Sequence, residues 1–309
     1  AEISPSSQRG RLVGLYQLSI VSGILLALLS NFALKDLGIN AWRWMLGVEA
    51  LPAIIYLLLL AGIPESPRWL ILKNRKEEAQ LIISALGLQE EMKNISSQMD
   101  SSQSVETIFS RKYRRVLLLA FFIAFFNQFS GINAILYYAP RIFEEAGLAR
   151  SSAFLSSVGV GLVNLLFTLL GMRLIDQMGR KFLLYIGSIG YILSLSLVAL
   201  SFQLDFGGYA IPAFLFLFIA SHAVGQGAVI WVFIAELFPT QLRASGQAFG
   251  SSVHWLLAAL IPSFIPTLFS SIGASTVFYL FAGMMVLQLL WVHFKVPETK
   301  NRSLEEMEE

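Results

Sequence analysis

The chain has 309 residues, of which 56% are hydrophobic and 14% charged, with a net charge of +2, a mean hydropathy of +0.67 and no cysteine. This is more apolar surface than a soluble core of that length buries, so the chain belongs in a bilayer. The missing cysteines exclude a disulfide framework and a thiolate metal site, and the small net charge implies no nucleic-acid partner.

In chain order, eight apolar stretches reach the roughly 17–25 residues that cross hydrocarbon. They run from Leu12 to Leu34, Trp44 to Ile63, Val116 to Ala139, Ala153 to Ile175, Phe182 to Phe202, Tyr209 to Ile234, Gln247 to Phe269 and Ala274 to Phe294. Between the second and third lies the one segment of soluble character, about Pro64 to Arg115. Trp69, Leu70 and Leu72, then Ala79, Leu81, Ile82 and Ile83, alternate there with Lys73, Arg75, Lys76 and Glu77. That pattern predicts short amphipathic helices beside the membrane face, with a flexible Ser96 to Ser104 link and a further short helix over Val105 to Tyr113. With Ala1 on the cytoplasmic side, 18 of the 22 Lys and Arg fall inside, and only Lys35, Arg43, Arg141 and Arg150 fall outside. The bias places both ends of the chain in the cytoplasm.

The phrase AEISPSSQRG at Ala1 to Gly10 recurs as AELFPTQLRA at Ala235 to Ala244, each with Glu, then Pro three residues on and Arg seven on. PESPR at Pro64 to Arg68 recurs as PETKN at Pro297 to Asn301, at an offset one residue shorter. Two such pairs in register predict two related halves. In the second half four spans lie between the linker and the Ala235 motif, and two come after it. By symmetry four spans should precede Ala1. The expectation is an all-α, twelve-helix, six-plus-six bundle of which this chain holds helices five to twelve. Residues 1–63 are then the last two helices of the N-terminal half, 64–115 a cytoplasmic helical linker, 116–296 the C-terminal half and 297–309 a tail.

The motifs in this order resemble the sugar porter family of the major facilitator superfamily. They are Glu2 to Arg9, PESPRWL at Pro64 to Leu70, NQFSGINAILYY at Asn127 to Tyr138, DQMGRK at Asp176 to Lys181, AELFP at Ala235 to Pro239 and VPETK at Val296 to Lys300. The resemblance covers the whole chain and implies transport of a hexose or pentose by alternating access, as a monomer in a plasma or bacterial inner membrane, with no cofactor and no metal. A facilitative uniporter and a non-transporting sugar sensor or truncated product are the alternatives. An enzyme is disfavoured, because no HExxH, GxSxG or paired intramembrane acid occurs.

Charges at a low-dielectric boundary are costly unless paired, so Asp176, Arg180, Glu236 and Arg243 are expected to form a network among helix ends. The resemblance makes this network, with Glu2 and Arg9 in the other half, a cytoplasmic gate. Gln177 and Lys181 stand where the family usually has Arg, which puts one bridge in doubt.

Gln17, Asn127, Gln128, Asn133 and Asn164 are amides in apolar spans, and amides donate and accept as sugar hydroxyls do. The bland role for each is glue between helices. On an unbroken helix Gln128 and Asn133 point about 140° apart; Ser130, Gly131 and Pro140 supply a break that lets them converge. Trp231 and Trp255 offer faces for sugar C–H groups, although Trp231 is near enough to Glu236 to serve as an interfacial anchor. The resemblance assigns both indoles and His254 to the sugar site. Ala228, Ala223, His222 and Asn127 depart from the glucose-facilitator pattern.

Glu49 lies about five residues past Trp44 in the second span, where a carboxylate needs a proton or a cationic partner. Proton-linked sugar porters resemble this chain in having an acid there, so Glu49 is expected to couple a proton to sugar movement. The Asp and Arg that the family would pair with it fall outside the chain.

Overall fold

The computed structural model describes residues 9–86, 107–206, 208–239 and 242–300, the side chains of 9–14, 68, 72 and 86 apart. Among the described residues, eight helical segments are long and apolar enough to cross a membrane. This is the expected number, and the segments fall where the sequence placed the spans. The helices are α1 (Arg9–Leu34), α2 (Ala41–Gly47), α3 (Ala50–Leu60), α4 (Pro67–Leu72), α5 (Lys76–Leu86), α6 (Arg114–Phe129), α7 (Ile132–Glu145), α8 (Arg150–Met178), α9 (Arg180–Gln203), α10 (Ala210–His222), α11 (Ala228–Leu237), α12 (Arg243–Ile272) and α13 (Ala274–Lys295). The chain divides into two compact units, one of residues 1–16 and 34–106, the other of residues 17–33 and 107–309.

In the first unit, the second span is formed by α2 and α3 in succession. Their junction has a cause in sequence. Pro52 has no N–H for the Val48 carbonyl, which accepts from Leu51 N instead at 3.1 Å. Glu49 sits at this junction, exposed, and its carboxylate makes no ion pair or hydrogen bond among the described residues. Beyond it, the PESPR motif starts a helix. Ser66 caps α4 by accepting from Trp69 N at 3.5 Å, and Pro67 occupies the first turn, where its missing N–H costs nothing. Leu70 of α4 packs on Ala79 and Ile83 of α5, as the amphipathic pattern requires. An exposed Arg75–Glu78 ion pair crosses the turn, and its hydrogen bond holds the Glu78 carboxyl below its usual range. Part of the linker, residues 87–106, lies outside the described residues. Its last stretch contains a 3₁₀ turn at Arg111–Tyr113 in place of the expected short helix.

The second unit holds six spans and residues 17–33 of α1. The span expected over Val116 to Ala139 is two helices, α6 and α7, separated at Ser130 and Gly131. That over Tyr209 to Ile234 is α10 and α11 joined by a π-helical turn at Ala223–Gly227. α9 packs along α13 and α10, α6 along α12, and α8 along α7 and α10. One apolar cluster joins Phe143, Tyr191, Phe218, Phe278 and Met285; another joins Leu183, Phe233, Leu237 and Phe238. Lipid tails are as apolar as these side chains, so helix association rests on close packing and buried hydrogen bonds rather than on expulsion of water. Leu25 and Leu28 of α1 accordingly lie within contact distance of Gly161 of α8.

Gly131 is the least replaceable point of the break. Its φ is +83°, and a Cβ there would lie 2.6 Å from the Phe281 ring. Gly131→Ala should destabilise the protein by about 2 kcal/mol or more, from the left-handed backbone and the overlap together. Thermal unfolding in detergent should show a lower Tm, partly restored by adding Phe281→Leu; an unchanged Tm would show that the break does not depend on this glycine.

Candidate functional site

The break after Phe129 arranges the amides. Ser130 Oγ donates to the Asn127 carbonyl at 2.6 Å and accepts from Ile132 N at 3.3 Å, tying the end of α6 to the start of α7. Asn133 then reaches back to Gln128: its Nδ2 donates to Gln128 Oε1 at 2.8 Å. The convergence that an unbroken helix would forbid is therefore present. Gln128 Nε2 in turn donates to Asn127 Oδ1 at 3.1 Å and meets the His254 ring of α12 at 3.2 Å. Asn127, Gln128 and His254 are buried.

His254 links this cluster to the aromatics. Its ring centroid lies 4.9 Å from that of Trp231 and 5.0 Å from that of Trp255. Trp231 Nε1 donates to Gln17 Oε1 of α1 at 3.0 Å. Seven of the eight predicted residues thus form one continuous chain of contacts, from Gln17 through Trp231 and His254 to Trp255 on one side and to Gln128, Asn127 and Asn133 on the other. Asn164 is the exception. It is buried on α8 and shares no hydrogen bond with the others among the described residues. Trp255 also borders a cleft of about 340 Å³ with Tyr137, Tyr138, Ala258, Ala259, Pro262 and Ser263. The tyrosines lie in the NQFSGINAILYY motif, but spacing alone gave them no task.

Chemically, the cluster is a set of neutral donors and acceptors that satisfy one another, walled by indoles. A ligand with several hydroxyls offers the same two functions on each oxygen, so it can replace those internal bonds without leaving a buried polar atom unpaired. None of these eight side chains is an acid, a lysine or an arginine. No group of three or more His, Cys, Asp or Glu is placed to hold a metal ion among the described residues.

The charge network is the second arrangement. Arg180 opens α9 and grips Glu236 of α11 with two bonds, Nε to Oε2 at 3.0 Å and a terminal nitrogen to Oε1 at 2.7 Å. It also donates to the Ile175 carbonyl at 3.0 Å and lies 3.7 Å from the largely exposed Asp176. Arg243 Nε donates to the Ala235 carbonyl at 2.9 Å. Glu2 lies outside the described residues, as does the side chain of Arg9.

The VPETK motif supplies what spacing missed. Glu298 accepts the backbone N–H groups of Arg180 and Lys181 at 2.9 and 3.0 Å, capping α9 where the helix dipole favours an anion. Gly179, with φ +85°, brings the chain within reach; a Cβ there would lie 2.6 Å from Glu298. Thr299 Oγ1 donates to Glu236 Oε2 at 2.6 Å, and Lys300 Nζ donates to the Gln177 carbonyl at 2.9 Å. The position that lacks the family's Arg thus accepts a cation through its backbone. The signal was the recurrence of PE after a span, but its partner is remote in sequence. His222, whose role the sequence left open, pairs with Tyr191 at 2.6 Å, a bond between α10 and α9.

A bundle of membrane helices with interrupted segments, a cluster of amides and indoles within the spans, and a tied set of charges at helix ends fits a polytopic solute carrier. The family model described as "Sugar (and other) transporter" matches residues 1–309, and the chain belongs to that family. It is 35% identical to the arabinose-proton symporter of Bacillus subtilis (strain 168), covering 99% of this chain and 69% of that protein. It is 37% identical to the glucose transporter GlcP of Staphylococcus epidermidis, covering 100% of this chain and 70% of that protein. Among solved structures, the partially occluded inward-open xylose transporter XylE from E. coli superposes with a TM-score of 0.85 at 29% identity, over 98% of this chain and 67% of that one. The protein is an integral membrane transporter of the major facilitator fold and not an enzyme.

Arg180 is buried, so removing Glu236 leaves its charge with only the exposed Asp176 at 3.7 Å and the Ile175 carbonyl. Arg180→Leu/Glu236→Leu together should cost less stability than Glu236→Leu alone, by about 3 kcal/mol. Thermal unfolding of the three proteins tests this; equal losses in the single and double variants would show that the pair is too solvated to matter.

Proposed function

We propose that the protein moves a monosaccharide across the membrane by alternating access, in symport with a proton. The observation that carries this is the chain of contacts from Gln17 through Trp231 and His254 to Gln128 and Asn133, in a member of a sugar transporter family. In this reading Gln17, Asn127, Gln128, Asn133, Asn164 and His254 bond sugar hydroxyls, and Trp231 and Trp255 cover the ring's C–H faces. The relatives named for arabinose, glucose and xylose support a pentose or hexose as the cargo.

The two ends of the cycle have candidate machinery. Arg180, Glu236, Asp176 and Arg243, with Glu2 and Arg9 in the other half, hold the inner face closed, and the excess of Lys and Arg on one side supports a cytoplasmic position for that face and for both ends of the chain. Residues 1–63 and 116–296 belong to the two halves that rock about the sugar, 64–115 join them, and 297–309 form a tail, of which Glu298 and Thr299 bond to the gate. Glu49 carries the proton. It stands at the α2–α3 junction in an apolar span, and the relative named as an arabinose-proton symporter supports coupling.

Binding and coupling separate experimentally. Gln128→Leu breaks bonds to Asn133, Asn127 and His254 at once, and should raise the Kd for sugar by about tenfold or more. Glu49→Gln in proteoliposomes should keep sugar counterflow while losing accumulation driven by a proton gradient. Accumulation that survives Glu49→Gln would remove this residue from coupling, and counterflow of no pentose or hexose by the unaltered protein would sink the transport reading.

A further inference from the structure

The π-helical turn at Ala223–Gly227 is held by contacts that neither the sugar cluster nor the charge network uses. All five of its residues are buried. On one side its backbone meets α9: a Cβ on Gly187 would lie 2.9 Å from the Cα of Gly225, and one on Gly225 would lie 2.7 Å from the Cα of Gly187. On the other it meets α8, where a Cβ on Gly171 would lie 2.8 Å from the Ala223 carbonyl oxygen and 3.1 Å from the Cα of Val224.

From this turn one side chain reaches across the bundle. Gln226 Nε2 donates to Gln288 Oε1 of α13 at 2.6 Å, Gln288 Nε2 donates to Ser188 Oγ of α9 at 2.8 Å, and Ser188 Oγ donates to the Leu184 carbonyl at 2.7 Å. Gln226, Gln288 and Ser188 are all wholly inaccessible. The line is polar in a fully buried part of the bundle, and it is incomplete: Gln226 Oε1 is buried with no hydrogen-bond partner. Apolar side chains of the same length would fill this space without an orphan acceptor, so stability of the fold is a poor reason for the line. Direction is a better one. A hydrogen bond fixes a side chain at one angle, which an apolar contact does not.

What the line fixes is next on the chain. Within a π turn the regular i to i−4 ladder gives way to i to i−5 bonds, which widens the helix and shifts the rotation of the helix after it, so contacts on the turn bear on where that helix faces. That helix is α11, and Trp231 lies in its first turn, bonded to Gln17 and packed against His254. We propose that Gln226 is a positioning residue for sugar binding: through Gln288 and Ser188 it locks the π turn to α13 and α9, and so sets where the Trp231 indole stands. This rests on the reading of Trp231 as a wall of the sugar site.

The test is a thermodynamic cycle on the purified protein, with D-xylose, D-glucose and L-arabinose as the titrants in calorimetry. Gln226→Leu and Gln288→Leu should each raise the Kd of the bound sugar about fivefold to tenfold, and the double variant should lose no more than either single, because both break one line. In a Trp231→Phe background the same changes should alter Kd by less than about twofold. A lowered Tm with unchanged Kd overturns the proposal, as does an equal loss of affinity with and without Trp231. Trp231→Phe that binds sugar as tightly as the unaltered protein strikes the wall reading itself, and is a separate result. Should Gln226→Leu fail to fold, Gln288→Leu and Gln226→Met report on the same line.

Discussion

Hydrocarbon offers no hydrogen bonds, and every polar group placed in it must find its partner within the protein. The rest of this structure depends on that constraint. The backbone meets it by forming helices, and where a helix is interrupted a side chain takes over: Ser130 Oγ serves the Asn127 carbonyl and the Ile132 N–H across the α6–α7 break. Many side chains meet it by pairing, although Gln226 Oε1 does not. Gln128 uses both ends of its amide, Tyr191 finds His222, and Arg180 spends its guanidinium on Glu236 and a carbonyl.

The proposed function uses the same constraint in reverse. A pocket whose groups bond one another when empty loses little by exchanging those bonds for a sugar's hydroxyls, and a pocket of uncharged groups does so without moving charge through a low dielectric. The charges are instead at the helix ends near Gly179 and Pro239, where Glu298 and Glu236 hold the start of α9 from two directions. Interruption of helices serves both places. Gly131 turns Asn133 toward Gln128, and the π turn stands directly before α11, which carries Trp231.

Much of the fold was legible because it depends on composition and length. Eight apolar runs gave eight spans, and the Ser66 and Pro67 pair gave the start of α4. The charged residues near Asp176 and Glu236 announced a network because unpaired charges at a membrane boundary are expensive; Arg180 pairs with Glu236, while Arg243 Nε donates to the Ala235 carbonyl. The candidate site residues were legible as types: amides and indoles in otherwise apolar helices. Their mutual arrangement was not. Nothing in spacing places His254 between Trp231 and Gln128, because those residues belong to three different helices and meet only through packing.

The sequence by itself determined what must be satisfied: which segments span, that buried amides need partners, and that Arg180 needs an anion, since these are properties of residues against a solvent. Only the tertiary structure decided who satisfies whom. Glu298 caps α9 from 118 residues away, and Gln226, Gln288 and Ser188 meet across three spans. The physical reason is that a hydrogen bond is a matter of a few tenths of an ångström and an angle, set by the packing of helices at glycine contacts such as Gly187 on Gly225, and one chain's local pattern carries no record of that distance.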